Sequence, residues 1–194
     1  MIKKIIASLA ISTCILSANN TAEINVNNNT LGLEIDYGIN ELYDLDNNSI
    51  YSLSLSYLSS EDTKGTESTD RILNLGFKIM NPYTNDSGFS LGLGINTVWV
   101  NNYSKTFFAI PLSIFADYSI SDKLSLNTNL SYSPKILSYS GAENYQELTS
   151  KLNYKVIDNG FIYVGYRNIK TTYENVKESI KFDDSIYLGY KVKF

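Results

Sequence analysis

The chain ends in Ser185-Ile186-Tyr187-Leu188-Gly189-Tyr190-Lys191-Val192-Lys193-Phe194. From Ile186 onward every second residue is apolar or aromatic, and the residues between are small, polar or charged except for Tyr187. Side chains alternate between the two faces of a strand, so the pattern predicts one β-strand with an apolar face and a polar face. The stretch has about ten residues, the length that a tilted strand needs to cross a bilayer. We therefore expect a membrane-spanning strand here.

The same alternation recurs along the chain, and no helical period appears after the first 18 residues. Residues 51–57 give the cleanest copy, because serine separates successive apolar side chains. Eight such strands can be counted between Tyr51 and Phe194, and membrane barrels of this kind have even strand numbers. A further strand at residues 31–38 makes the count odd, unless residues 24–27 pair with it and raise the count to ten. We predict an all-β fold, a transmembrane antiparallel β-barrel of eight strands, with ten as the alternative.

The N-terminus has the features of a secretory signal peptide. A basic start at Lys3 and Lys4 precedes a run of apolar or small residues that ends at Ala18. Cys14 fits a lipid-anchored alternative poorly, because Thr13 precedes it where a smaller residue is expected. We predict cleavage after Ala18, which would remove the one cysteine of the chain and leave a domain without disulfides. The predicted organisation is a signal peptide at 1–18, an N-terminal segment with one or two additional strands at 19–49, and the barrel at 50–194.

Alternation alone does not decide which face of the barrel points inward, because a soluble lipocalin-like barrel would show the same pattern with its apolar face inside. The polar face consists mostly of serine, asparagine and glycine, which fit a narrow interior. Tyrosines recur at the ends of the apolar faces, as in the aromatic girdles of membrane barrels. Long and short links also alternate, with the tightest turns on the side of the C-terminus. We therefore predict an apolar exterior, and at Pro111 a bulge, because proline lacks the N–H that a barrel strand needs.

An inward polar face would bring charged side chains together in the lumen. Isolated buried charges are unfavourable, so we expect these side chains to form ion pairs that fill the barrel and leave no continuous water path. The alternative is an anion-selecting constriction in a small channel. The charged residues predicted to face the lumen are Glu34, Asp36, Arg71, Lys78, Asp117, Glu147, Lys151, Lys155, Arg167 and Lys191.

Three classes of function are compatible with this sequence. We favour a structural or surface-interaction barrel with a filled lumen, over a narrow passive pore for small solutes and over a lipid-modifying enzyme. The chain has no histidine, which removes the Ser/His and Asp/His arrangements of hydrolases, and we predict that it is not an enzyme. We predict no cofactor and no metal, and interpret the acidic cluster Glu61, Asp62, Glu67 and Asp70 as solvated loop charge.

Predicted partners follow from the membrane location. They are outer-membrane lipids, lipopolysaccharide and the outer-membrane assembly machinery, and no basic footprint for nucleic acid is present. Outer-membrane barrels as a class end in a strand with a terminal phenylalanine, so Phe194 is the expected assembly signal. The sequence leaves the oligomeric state open.

A more specific resemblance lies in Tyr132-Ser133-Pro134-Lys135-Ile136-Leu137-Ser138-Tyr139. This segment resembles a motif of the YfaZ-type outer-membrane proteins, in which aromatics lead into a Ser-Pro or Ala-Pro pair at the mouth of a barrel loop. The segments at 144–147 and 164–167 are also similar, and the resemblance is best from 107 to 170. Ser131 departs from it where another aromatic is common, and strand 89–99 lacks a Gly-Lys feature of the family. The resemblance implies a barrel in the bacterial outer membrane and no catalytic residue.

Overall fold

The structure is a computed structural model. It describes residues 20–40, 42–43, 45, 48–61, 69–81, 88–102, 105–174 and 179–194. The predicted signal peptide at 1–18 lies outside the described residues. In the part of the chain that the structure describes, no helix has the length and apolar character needed to cross a membrane.

The described chain forms twelve β-strands and one 3₁₀ turn at Lys135–Leu137. Every strand pairing is antiparallel, as expected where the polypeptide returns on itself after each link. The strands are β1 Thr21–Val26, β2 Thr30–Gly38, β3 Ile50–Glu61, β4 Thr69–Met80, β5 Phe89–Asn102, β6 Lys105–Ala109, β7 Leu112–Ser119, β8 Leu124–Ser133, β9 Ser138–Tyr139, β10 Ala142–Ile157, β11 Gly160–Tyr173 and β12 Ile180–Lys193.

Ten of these strands close into a barrel, in the order β4-β3-β2-β1-β12-β11-β10-β8-β7-β5, with β5 returning to β4. The short strands β6 and β9 pair with each other, and β6 also pairs with the loop-side end of β5. The predicted count of eight is therefore wrong, and the alternative of ten is confirmed. The reason is that β1 pairs with both β12 and β2, so the asparagine-rich N-terminal segment forms wall. The wall begins at Thr21 and not at residue 50.

The apolar face of the barrel points outward. Leu93 is 66% exposed and Leu188 is 61% exposed, whereas Ser131 and Asn153 inside the barrel are 1% and 2% exposed. A soluble barrel of the lipocalin type would show the reverse, because apolar surface in water is unfavourable. The prediction of an apolar exterior is confirmed.

The two ends of the barrel differ in their links. At one end, here called the terminal end, the Phe194 N–H donates a hydrogen bond to the Asn20 carbonyl at 3.0 Å. The tight turns at 120–123 and 158–159 lie at this same end. The opposite end, here called the loop end, carries the links that follow β3, β8 and β11. These two tight turns share the end of the C-terminus, as the sequence predicted, but the tight turn between β1 and β2 lies at the loop end and the longer link between β2 and β3 lies at the terminal end.

Pro111 lies between β6 and β7, and the irregularity expected there takes a different form. The strand β5 pairs with β6 and with β7 in one continuous register, so no bulge occurs at Pro111 on this side. The Asn96 N–H donates to the Pro111 carbonyl at 3.0 Å. On the other side, β7 pairs with β8 as far as Tyr132, and β6 resumes with β9 at Ser138. Residues 133–137 form the excursion between them. The bulge therefore lies in the strand beside Pro111 and not in its own strand.

Candidate functional site

The lumen of the barrel is the candidate functional site, and its contents change along the barrel axis. Inward residues toward the terminal end are charged or polar and form ion pairs. Inward residues at the loop end are apolar and pack into a core. The boundary lies near Tyr145, whose ring belongs to the core and whose hydroxyl donates to Glu147 Oε2 at 2.7 Å.

The centre of the polar layer is Glu23 on β1, whose side chain is only 2% exposed. Lys151 Nζ from β10 lies 2.6 Å from Glu23 Oε2, and Lys191 Nζ from β12 lies 3.0 Å from Oε1. Lys151 also reaches Glu34 Oε2 on β2 at 3.0 Å, across the lumen. These contacts link four strands, and each buried charge has an opposite partner, as burial of charge requires.

Two further ion pairs extend this layer. Lys78 Nζ on β4 lies 2.9 Å from Asp36 Oδ2 on β2. Nearer the loop end, Arg167 on β11 donates from Nε to Asp183 Oδ2 at 2.7 Å. The remaining guanidinium nitrogens of Arg167 donate to Asn25 Oδ1 at 3.1 Å and Thr30 Oγ1 at 3.0 Å. A buried arginine with this many acceptors holds the β11–β12 wall against the β1–β2 hairpin.

Two inward tyrosines pack over glycines of the neighbouring strand. The Tyr187 ring lies over Gly165, and the Tyr163 ring lies over Gly189, so that a Cβ at either glycine would overlap a ring. The two rings meet edge to face, with centroids 6.0 Å apart at 89°. Arg167 lies 4.7 Å from the Tyr187 ring centroid, a distance that allows a cation–π contact. These rings fill space that serine or glycine would leave open.

The structure places most of the predicted lumen charges inside the barrel, with differences in detail. Arg71 is a correction: it is exposed and faces outward, because the neighbouring inward residue of β4 is Ile72. Lys155 lies at the terminal rim, where it pairs with the exposed Asp158 at 3.2 Å. Glu147 and Asp117 face the lumen, but no lysine or arginine of the described residues forms an ion pair with either.

Two residues of the network escaped the sequence analysis. Glu23 lies in the N-terminal segment outside the predicted barrel of 50–194, although Ala22, Ile24 and Val26 alternate around it. Asp183 lies in the polar stretch that precedes the final predicted strand, where no clean alternation appears, although β12 already begins at Ile180. A register shift in the β11–β12 ladder makes Phe182 and Asp183 both face inward, which breaks the two-residue period. The alternation at 22–26 could thus have predicted that Glu23 faces inward. The broken period around Asp183 could not have predicted the same for that residue.

The apolar core at the loop end was not predicted. Phe107 packs edge to face on Tyr173, with centroids 5.7 Å apart, and lies 6.3 Å from the Tyr145 ring. Ile180 and Phe182 pack against the same group from β12. The buried members are Leu58, Ile72, Val98, Val100, Phe107, Ala109, Ala142, Tyr145, Ile169 and Tyr173.

Charged side chains lie around the loop end of this core. Lys105 Nζ lies 4.6 Å from the Tyr173 ring centroid. Lys135, in the 3₁₀ turn, pairs with Glu174 at 3.0 Å, and the hydrogen bond and charge of Glu174 raise the pKa of Lys135. Because Lys135 is 65% exposed at its side chain, this pair is solvent-screened and ties the loop only weakly.

Two cavities lie in the lumen beside the core. The larger has a volume of about 140 Å³ and lies within the polar layer. The smaller, of about 60 Å³, lies between Arg167 and the core residues Leu58 and Ile72. Glu34, Glu147 and Lys151 contact both cavities. Inside the core itself, the remaining space is only about 10 Å³, which is about the minimum that one water needs.

The described lumen residues offer oxygen and ammonium groups. Among the described residues, no three or more histidine, cysteine, aspartate or glutamate side chains are grouped so as to hold a metal ion. The arrangement can hold polar solutes or water in the larger cavity by hydrogen bonds and charge. The apolar core separates that cavity from the loop end.

The fold is similar to those of solved outer-membrane barrels. The NanC porin matches with a TM-score of 0.50 and 11% identity, over 90% of this chain and 98% of that chain. The outer membrane protease OmpT from Escherichia coli matches with a TM-score of 0.51 and 11% identity, over 94% of this chain and 99% of that chain. At such identities the likeness concerns the fold. A comparison with curated proteins finds no match.

The family assignment rests on a match over the whole sequence. The profile of the YfaZ precursor family matches residues 1–194, which includes the segments that resembled YfaZ-type proteins. That family and the barrel fold together point to the bacterial outer membrane, as predicted. The chain belongs to the YfaZ precursor family.

Proposed function

We propose that this protein is a non-conducting outer-membrane barrel of structural or surface-interaction type, whose lumen is filled by its own side chains. The observation that carries the proposal is the apolar core at the loop end. Ten buried apolar residues from six strands meet there, with about 10 Å³ of space between them. Permeating ions would have to leave water in such a constriction, which is costly.

The polar layer supports the same proposal. Its ion pairs span facing walls, as between Lys151 and Glu34 at 3.0 Å. Opening the lumen would separate these charges as well as the aromatic rings of the core. Removing one partner of a buried ion pair lowers stability by several kcal/mol, on the order of 3–5, because the other charge is left uncompensated. Two independent layers therefore oppose a continuous water path.

The experiment is a liposome-swelling assay with the purified full-length protein. Vesicles that contain the barrel, placed in isotonic solutions of small sugars or amino acids, should swell no faster than empty vesicles. A general porin reconstituted at the same protein-to-lipid ratio supplies the positive control. Swelling that depends on the amount of this protein and on solute size would contradict a filled lumen.

The second candidate is a narrow passive pore, favoured by one specific observation. The cavities of about 140 Å³ and about 60 Å³ share lining residues, so the polar part of the lumen contains open space. A likeness to the NanC porin agrees with this candidate, although at 11% identity it concerns the fold. Movement of the loop-end core would be needed to complete a path. Swelling with size-selective solutes would favour this candidate.

The protein is proposed to act without catalysis, since the absence of histidine removes the commonest general base. Lipid turnover by the purified protein would contradict this. Its proposed partners are outer-membrane lipids, lipopolysaccharide and the assembly machinery. Phe194, which is 43% exposed, is available as the assembly signal. Deleting Phe194 should deplete the protein from the outer membrane, whereas equal membrane yields would contradict that role.

A further inference from the structure

The segment that resembles YfaZ-type proteins has no part in the proposed function so far. It contains the excursion, residues 133–137, which leaves the barrel wall beside Pro111. In this excursion Ile136 is 81% exposed, the highest value among the large apolar side chains that the structure describes. A single exposed isoleucine is ordinary on a protein surface. The surroundings of Ile136 therefore decide what it contacts.

The excursion projects from the outer side of the wall. Ser133 and Ser138, at its two ends, are buried and belong to the inward faces of β8 and β9. Lys135 lies between them and pairs with Glu174 at 3.0 Å. Glu174 is exposed and directly follows the inward Tyr173, so it lies on the outer surface near the loop end. Lys135 thus extends toward the loop end along the outside of the barrel.

Aromatic side chains surround the excursion on the outer wall. Tyr132, the last outward residue of β8, directly precedes it. Trp99, Phe108 and Tyr139 form one row across β5, β6 and β9, because each is the register partner of the next. Such aromatic rows mark the level at which a barrel wall passes from acyl chains to headgroups. Ile136 therefore continues the lipid-facing surface at the level of an aromatic girdle.

The backbone of the excursion is well supplied with hydrogen-bond donors. The Ser133 hydroxyl donates to the Leu137 carbonyl at 2.9 Å, and the Ser138 hydroxyl donates to the Pro134 carbonyl at 3.1 Å. The Ser138 N–H donates to the Lys135 carbonyl, and Pro134 has no N–H of its own. Irregular backbone beside lipid is unfavourable unless the protein satisfies its polar groups. This excursion meets most of that requirement from within.

We propose that the excursion is a lipid anchor, with Ile136 inserted at the boundary between headgroups and acyl chains in the leaflet at the loop end. Lys135 extends from the same boundary to Glu174 on the aqueous side, as basic side chains at membrane interfaces do. The anchor fixes the depth at which this side of the barrel lies in the bilayer. The proposal rests on the lipid partners of the proposed function and names the segment that holds them.

Tryptophan fluorescence in vesicles tests the anchor, because Trp99 is the one tryptophan of the chain. Three proteins are placed in phosphatidylcholine vesicles, with or without bromine, a contact quencher, on the acyl chains. The parent protein reports from Trp99 on the outer wall. Ile136→Trp combined with Trp99→Phe reports from the excursion, where the exchange removes no core contact. Asp158→Trp combined with Trp99→Phe reports from the terminal-end turn, where the side chain is fully exposed.

We expect bromine to reduce the emission of the parent protein and of the Ile136→Trp protein about twofold or more, since both report from lipid contacts. The emission of the Asp158→Trp protein should stay nearly unchanged. Bromine near the headgroups should quench the Ile136→Trp protein more strongly than bromine near the chain ends. Heat-modifiable electrophoretic mobility confirms that each protein is folded.

The outcomes separate the anchor from the membrane barrel itself. Quenching of the parent protein without quenching of the Ile136→Trp protein would place the excursion in water and overturn the anchor, while the barrel would remain in the bilayer. Stronger quenching by bromine near the chain ends would also overturn it, because Ile136 would then lie too deep. Absence of quenching in the parent protein would contradict the membrane barrel, and the anchor with it.

Discussion

The terminal half and the loop end of this lumen share the same strands but are filled differently. In the terminal half, inward side chains are held by ion pairs such as Lys191–Glu23 at 3.0 Å. At the loop end, inward side chains such as Phe107 and Tyr173 meet through ring contacts at 5.7 Å. The stability of the polar layer depends on each charge having its partner, and the stability of the apolar core depends on close packing without voids. The two layers should therefore respond differently to substitution.

The largest expected effect is in the polar layer. Arg167→Met would leave the buried Asp183 without its cation, and we expect the free energy of unfolding to fall by about 3–5 kcal/mol. Urea unfolding in detergent micelles measures this. The exposed pair of Lys181 with Asp184 offers a matched control, and Lys181→Met should leave the unfolding midpoint unchanged.

A double variant sharpens the same test. Arg167→Met combined with Asp183→Leu removes both charges, and apolar replacement of a buried ion pair is often neutral. We expect the double variant to regain most of the stability that Arg167→Met loses. If it were as unstable as the single variant, the contacts of Arg167 with Asn25 and Thr30 would matter more than its charge pair.

A smaller effect on stability is expected at the contact between Gly165 and the Tyr187 ring. Gly165→Ala would place a Cβ against the Tyr187 ring, and overpacking of this kind costs about 1–3 kcal/mol. In a Tyr187→Leu background the same substitution should cost clearly less, since the ring is gone. Unfolding midpoints of the four proteins in this cycle give the coupling. Additive effects of the two substitutions would contradict the packing of the Tyr187 ring over Gly165.

The sequence predicted the wall better than its contents. Strict alternation at 51–57 and 185–194 identified strands and their apolar exterior, because burial against lipid or lumen acts on every second residue. Alternation carries no information about height along the barrel axis. The loop-end core is built from residues such as Leu58, Phe107 and Tyr145, which lie far apart in sequence and become neighbours only in the folded barrel.

The errors have equally physical causes. The count of eight missed β1, since it has only six residues and follows the asparagine-rich start. Arg71 was predicted to face the lumen. Its neighbour Ile72 faces inward, so Arg71 faces outward. Lys78 and Asp36 were both predicted to face the lumen, and they pair there at 2.9 Å, because both lie well inside strands whose alternation is unbroken.

The smallest effect is expected at the loop-end surface. Lys135→Gln would remove the exposed pairs with Glu174 at 3.0 Å and Glu143 at 3.9 Å. Screened surface pairs contribute little, so the unfolding midpoint in urea should not change measurably. A shift as large as that of Gly165→Ala would mean that surface charge, and not the apolar core, stabilises this end.

Planar-bilayer conductance tests the central claim, that the apolar core seals the lumen, most directly. The parent protein should show no steady current, and neither should Lys78→Met, which disturbs the polar layer and leaves the core intact. Phe107→Ala combined with Tyr173→Ala, checked for folding by heat-modifiable electrophoretic mobility, should show stable channels. Steady ohmic channels of uniform size in the parent protein would contradict the seal, and a silent core variant would show that the core is not what closes the barrel.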